Sequence, residues 1–161
     1  MAHEYGWVMA PETFVPVGFI PPTSLVTGRF RLEPLGPQHN DADHAAWTSS
    51  IDHIRATPCY PDGNWPPPNG MSLEANLADL LRHAADFAAR RGFTFTVVDP
   101  VDSDIVIGCV YLYPATSADY DVTVQSWVKA DMADLDVPLA DAVVEWLVSE
   151  WPWERVDRCG R

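Results

Sequence analysis

The chain has 161 residues, 47% of them apolar, and ten basic residues against twenty-three acidic ones give a formal net charge of −13. That length suits one domain with a sizeable core and is short for two. The charge argues against nucleic acid or an anionic membrane as partner, because affinity for those polymers rests on Lys and Arg meeting phosphate; a neutral or cationic partner is easier to accommodate.

The cysteines, Cys59, Cys109 and Cys159, stand far apart and form no CxxC pair. Neither a disulfide framework nor a zinc knuckle is expected, and a reducing, cytoplasmic setting is. Met1-Ala2-His3-Glu4-Tyr5 carries no basic stretch or unbroken apolar run of the kind a signal peptide has. Nor does any segment approach the ~18 apolar residues of a membrane span, so a soluble, unexported protein is expected.

Residues 1–28 mix Pro, Gly and aromatics (Trp7, Phe14 and Phe19 among them), too apolar for a disordered tail and too broken for a helix. They read as an extended arm lying on the domain or on a neighbouring subunit, with residues 29–161 as the single domain. Arg29 to Leu35 alternates as a first strand, closed by Pro34 and Gly36. Asn40 to Ser50 reads as a helix containing Trp47, and Ile51 to Ala56 as a further short turn. Within the pattern His39-x4-His44 the two imidazoles do not share a helix face as an i,i+4 zinc pair would, so no metal is expected. Thr57 to Gly70 contains five prolines and is not regular structure.

Ser72 is placed as N-cap of the strongest helix, with Glu74 in its first turn. Leu73, Leu77, Leu80, Leu81, Ala84 and Ala88 form the expected buried stripe, Asp79–His83 and Asp86–Arg90 the expected i,i+4 pairs, and Gly92 the stop. Phe93 to Asp99 is a strand, followed by a turn. Ile105 to Tyr113 is apolar on both faces, which marks a central strand.

The chain is organised around Tyr120–Trp151. From Tyr120 to Lys129 the side chains alternate, with Tyr120, Val122, Val124, Ser126 and Val128 on one face. From Val137 the period changes: Leu139, Val143, Trp146, Leu147 and Trp151 recur at helical spacing. Asp136 is placed as N-cap and Pro138 in the first turn, leaving Ala130–Leu135 as a tight loop whose free N–H groups make a natural anion site.

Here the residues resemble the GNAT-type N-acetyltransferase superfamily. The resemblance rests on the run Val124-Gln125-Ser126-Trp127-Val128, the loop, and the helix ending Glu145-Trp146-Leu147-Val148-Ser149-Glu150-Trp151. The Arg31-Leu32-Glu33-Pro34-Leu35 strand and the Ile107-Gly108 step add weaker support. It implies an α+β fold, a mixed, mainly antiparallel sheet with helices on both faces, in which the organising strand splays from Arg155-Val156.

In that family the loop and helix start hold the acetyl-CoA pyrophosphate, usually on Arg/Gln-x-x-Gly-x-Gly/Ala. The resemblance thus implies Trp127, Val128, Ala133, Asp134, Leu135, Asp136 and Val137 as cofactor-binding positions, a main-chain N–H near Trp127 or Val128 polarising the thioester. Here the loop reads Ala130-Asp131-Met132-Ala133-Asp134-Leu135-Asp136, with no glycine or arginine, and its aspartates predict weak acetyl-CoA binding. The family continues beyond the last strand with a helix, often carrying a tyrosine general acid, and two more strands; this resemblance ends near Asp157. By the same resemblance Tyr60 and Trp65 become walls of the acceptor pocket; Asp121, Thr123 and Gln125 share the strand face where the base is sought and Tyr111, Tyr113 or Tyr120 supplies a hydroxyl, with Asp121, Gln125 and Tyr111 as the candidate catalytic groups.

Two functions follow. One is an N-acetyltransferase acting on a small-molecule or peptide amine; the other is a catalytically inactive GNAT-like module that binds a ligand or protein. A homodimer is expected, with Trp151, Trp153 and the arm covering an otherwise open sheet face.

Overall fold

The structure is a computed structural model describing residues 13–60 and 65–161, so the first twelve residues of the expected arm, Trp7 included, lie outside the described residues. Six strands form one sheet in chain order: β1 (Leu25–Val26), β2 (Arg31–Pro34), β3 (Phe93–Val98), β4 (Val106–Pro114), β5 (Val122–Val128) and β6 (Val156–Asp157). Neighbours pair antiparallel except β5 and β6, which run parallel. The α-helices are α1 (Asn40–Thr48), α2 (Ile51–Arg55), α3 (Leu73–Ala88) and α4 (Asp136–Glu150). The expected mixed, mainly antiparallel sheet with helices on both faces is what forms.

The period-2 alternation of the strands explains the two cores. On one face Val110 and Leu112 of β4 and Val122, Val124 and Val128 of β5 meet Leu139, Val143, Trp146 and Leu147 of α4. The intervening positions, Cys109 and Trp127, point the other way and pack with Trp47 of α1, Ile54 of α2 and Leu80 of α3. Trp47 and Trp127 are wholly buried, and each such aromatic withdraws on the order of 150–250 Å² from water. β4 and β5 approach so closely at Gly108 that a Cβ there would lie 2.1 Å from the Trp127 carbonyl oxygen. Only glycine fits that step.

Several sequence expectations are corrected in detail. On α3 the inward face centres on Asn76 and Leu80, whereas Leu73 and Leu81 are exposed. The stripe rotates because α3 packs through a polar clip: Asn76 accepts from Trp47 Nε1 at 3.0 Å and donates to Asn40 and Asp43 at 2.9 and 3.1 Å. Ser72 caps α3 as expected, accepting from Ala75 N–H at 3.0 Å. The expected charge pairs are exchanged: Asp79 meets Arg82, Asp86 meets Arg91, and Arg90 instead donates to the carbonyls of Pro16 and Phe19. The helix stops before Gly92, at Ala88, with Arg90 in left-handed conformation at φ 63°.

The aromatic face that called for outside cover is covered from within. Phe14 stacks on Trp153 at 4.6 Å, Phe19 lies 5.5 Å from Trp151, and Trp153 Nε1 donates to the Phe14 carbonyl. A further correction concerns the cysteines. Cys59 and Cys159, 100 positions apart, form a disulfide with Cα atoms 5.3 Å apart, a separation ordinary for such a bond. Sequence spacing carried no sign of it because the loop after α2 and the segment after β6 meet only in the fold.

Candidate functional site

β6 pairs with β5 only at Val122 and Thr123. Over the rest of β5 the side away from β4 has no strand neighbour among the described residues, and the segment after β6 crosses this opening. Arg161 donates to the Ser126 carbonyl at 3.2 Å and to both carboxylate oxygens of Asp136, one of them at 3.0 Å. Asp136 is therefore not the expected N-cap. It is the first residue of α4, Leu135 precedes it without a capping side chain, and Ala130–Leu135 winds as a 3-10 turn.

The other loop aspartates are also matched: Asp134 with Arg29 at 3.2 Å and Asp131 with Lys129 at 3.9 Å. The expected repulsion of a pyrophosphate is thereby blunted, though both pairs are highly exposed at the aspartate and such pairs contribute only about 0–1 kcal/mol. Of the remaining cofactor positions, Trp127 and Val128 have fully buried side chains, Leu135 is buried, and Ala133 and Val137 are exposed.

Behind Gln125 lies a cavity of about 320 Å³, lined by Tyr60, Trp65, Tyr111, Gln125, Asp43 and His83 among others. Four sequence-expected residues thus converge: both expected walls and two of the three expected catalytic groups. Trp65 lies 6.1 Å from Tyr60, 5.3 Å from Trp47 and 6.0 Å from Trp127 between ring centres. Tyr111 Oη accepts from Trp127 Nε1 at 3.0 Å, and burial pushes its phenol well up, which holds it protonated. Gln125 Nε2 donates to Cys59 Sγ at 3.2 Å, so this one side chain ties the cavity wall to the disulfide that holds the segment after β6.

Asp121 is placed elsewhere. Its carboxylate takes the Arg155 guanidinium at 2.7 Å and the main-chain N–H groups of Glu154 and Arg155. These bonds, Arg155's foremost, hold its carboxyl down at about 2. A carboxylate so satisfied braces the approach to β6 and is a weak proton acceptor.

Two cavity residues escaped sequence reasoning. Asp43, in the first turn of α1, is 4% exposed; burial raises its pKa to about 6, against the Asn76 hydrogen bond that lowers it. His83, on α3, sits within hydrogen-bond reach of Tyr113 Oη and Thr94 Oγ1, and burial, then Arg82, lowers its pKa to about 4. Tyr113 in turn donates to Asp86 at 2.8 Å and is pushed up to about 12, by burial first. His39 and His44 are engaged with Glu33 and the Met71 carbonyl. Among the described residues no group of three metal-ligating side chains gathers, and no helix is long and apolar enough to cross a membrane.

No protein-family model and no curated protein matches the sequence. Solved structures do match. A ribosomal-protein-S5-alanine acetyltransferase from Vibrio fischeri superposes with TM-score 0.58 at 14% identity, over 78% of this chain and 67% of that one. The microcin C7 self-immunity acetyltransferase MccE, in complex with acetyl-CoA and AMP, gives 0.59 at 10% identity, over 83% and 68%. A Bordetella pertussis protein assigned to the GnaT family of acetyltransferases gives 0.56 at 15%, over 84% and 76%. The chain spans about two thirds to three quarters of these relatives. It has the GNAT acetyltransferase fold.

The residues present fit a CoA pyrophosphate modestly. Arg29, Lys129 and Arg161 surround the loop, so a polyanion meets a balanced loop rather than three bare carboxylates; it must also compete with those carboxylates for each cation.

Proposed function

We propose that the chain is an N-acetyltransferase that passes an acetyl group from acetyl-CoA to an amine seated in the aromatic cavity. One observation carries the reading: Gln125 lines the cavity and stands on β5, the strand that β6 pairs with only at Val122 and Thr123, so donor and acceptor would have adjoining places in one fold. When bound, acetyl-CoA supplies the activated thioester. Arg29, Lys129 and Arg161 would hold its phosphates, together with the main chain at Ala133, Asp134, Leu135, Asp136 and Val137. A single main-chain N–H near Trp127 or Val128 would polarise the acyl carbonyl.

The chain's own part is positional. Tyr60 and Trp65 wall the acceptor, Tyr111, kept protonated and accepting from Trp127 Nε1, retains its own O–H to donate, and the Gln125 amide orients the amine. Asp121 acts through β6, which it anchors, rather than on the reacting atoms. The proposal includes a homodimer and an acetyl-CoA affinity weaker than that of a glycine-loop relative.

A second reading, a GNAT-like module without catalysis, is favoured by one observation: residues 158–161 cross the opening, with Arg161 on the Ser126 carbonyl. Calorimetric titration with acetyl-CoA separates the two. Saturable binding supports the enzyme; no heat at millimolar acetyl-CoA, with the fold intact, supports the module.

A further inference from the structure

The cavity holds a buried carboxylate that no cation answers. Asp43 Oδ2 receives one neutral hydrogen bond, from Asn76 at 3.1 Å. Among the described residues no Lys, Arg or His nitrogen comes within salt-bridge distance of it. Asn76 has nothing further to give, because its other contacts fix it to Trp47 and Asn40. A carboxylate taken from water without a counter-ion is costly unless something charged completes it.

The rest of the wall suits a cation. Arg82, the guanidinium at the cavity, is tied to Asp79 at 3.2 Å. His83 is neutral near pH 7 and adds no repulsion. Tyr60, Trp65 and Tyr111 line the cavity, and aromatic rings attract an ammonium held over a face within about 6 Å of their centres. The Tyr60 hydroxyl is buried without a hydrogen-bond partner in the described structure, so it has an oxygen to spare for a ligand N–H.

We propose that this cavity is a binding site for a small organic ammonium ion, with Asp43 as its counter-ion and Tyr60 and Trp65 as its aromatic walls. The proposal deepens the acceptor reading, and names a compact monocation rather than a peptide chain as the ligand class. A volume of about 320 Å³ is at the small end of ligand pockets, which run roughly 300–1,000 Å³.

The groups facing Asp43 set the pH behaviour. His39 and His44 lower its pKa and Asp79 raises it; Asn76 of α3 is neutral, and Cys109 and Tyr111 of β4 stay protonated, pushed well up by burial. Ammonium binding therefore weakens as pH falls through about 6.

The test is titration of the full chain, without acetyl-CoA, by benzylammonium and by neutral benzyl alcohol, following tryptophan fluorescence at about pH 8, two units above the Asp43 value. The cation is expected to bind at least ~10-fold tighter than the alcohol, a preference worth about 1.4 kcal/mol. Asp43→Asn is expected to abolish that preference while leaving alcohol binding unchanged. Should Asp43→Asn not fold, the wild-type pH series serves, with cation affinity falling below about pH 6 and alcohol affinity flat. Equal affinities for the two probes, or a cation affinity indifferent to both pH and Asp43, overturns the proposal. Because no acetyl-CoA is present, failure here leaves the acetyltransferase reading standing, and loss of acetyl-CoA binding leaves this one standing.

Discussion

At the scale of single residues the cavity is held by Asn76. It receives the Trp47 indole proton and spends its amide protons on Asn40 and Asp43, so removing it orphans a buried donor and a buried carboxylate at once. Each unsatisfied group costs about 1–3 kcal/mol. Asn76→Ala is expected to lower stability by about 2–4 kcal/mol in urea denaturation, and a loss under about 0.5 kcal/mol would show that the clip is not structural.

Asp43 and His83 titrate in opposition. Asp43 goes from 3.8 to about 6 on folding, so the folded state holds its proton longer, and the stability this gives is present at low pH and lost as pH rises through about 6. His83 goes from 6.5 to about 4, so the unfolded state takes its proton first and stability is lost as pH falls from 6.5. Between about pH 6 and pH 4.5 the two trends cancel in the wild type. Asp43→Asn should therefore become less stable on acidification across that window, and His83→Gln more stable; denaturation midpoints at several pH values measure both, and parallel behaviour of the two variants would refute the opposition.

Among the elements, the Tyr120–Trp151 unit was the most legible in the sequence. Its alternation and its later helical period each report one side of a packed layer, and these are local signals. What the sequence concealed is what depends on contacts between distant segments. The α3 stripe was misplaced because apolar spacing alone cannot reveal that a polar Asn76 docks α3 onto α1. Asp136 looked like a cap because caps are local, whereas its partner Arg161 lies 25 positions on. Tyr60, Trp65, Tyr111 and Gln125 were legible through resemblance; Asp43 and His83 were not, since neither bears a motif and both acquire their character from burial.

The Cys59–Cys159 disulfide closes a loop of 100 positions, for which chain entropy gives about 4–5 kcal/mol and measured cases about 2–4. Non-reduced protein should be two hydrogens lighter than the reduced protein by intact mass, and it should melt higher than Cys159→Ser; identical mass and melting in both redox states would exclude the bond. In the loop after β5, Asp131→Arg with Asp134→Gly removes two carboxylates and releases Arg29 from Asp134. Acetyl-CoA affinity should rise ~10-fold, about 1.4 kcal/mol. An unchanged affinity would mean that these side chains do not face the phosphates.

For the whole molecule, a net charge of −13 and a cavity carboxylate that no cation among the described residues pairs with both favour a cationic acceptor over an anionic one. The packing of Phe14 and Phe19 on Trp151 and Trp153 meets within one chain the need for cover that motivated a homodimer. A homodimer would then have to rest on other surfaces, and light scattering across a concentration series tests it: a strict monomer at high concentration would contradict it.

The account turns on acetyl transfer at the junction made by Gln125. The most direct measurement is release of free CoA thiol from acetyl-CoA in the presence of the full chain and a series of small primary amines. Amine-dependent release above the protein-free rate, lost on Gln125→Ala and reduced on Tyr111→Phe, is the predicted result. Release no faster than without protein for every amine, from a chain that binds acetyl-CoA, would contradict it.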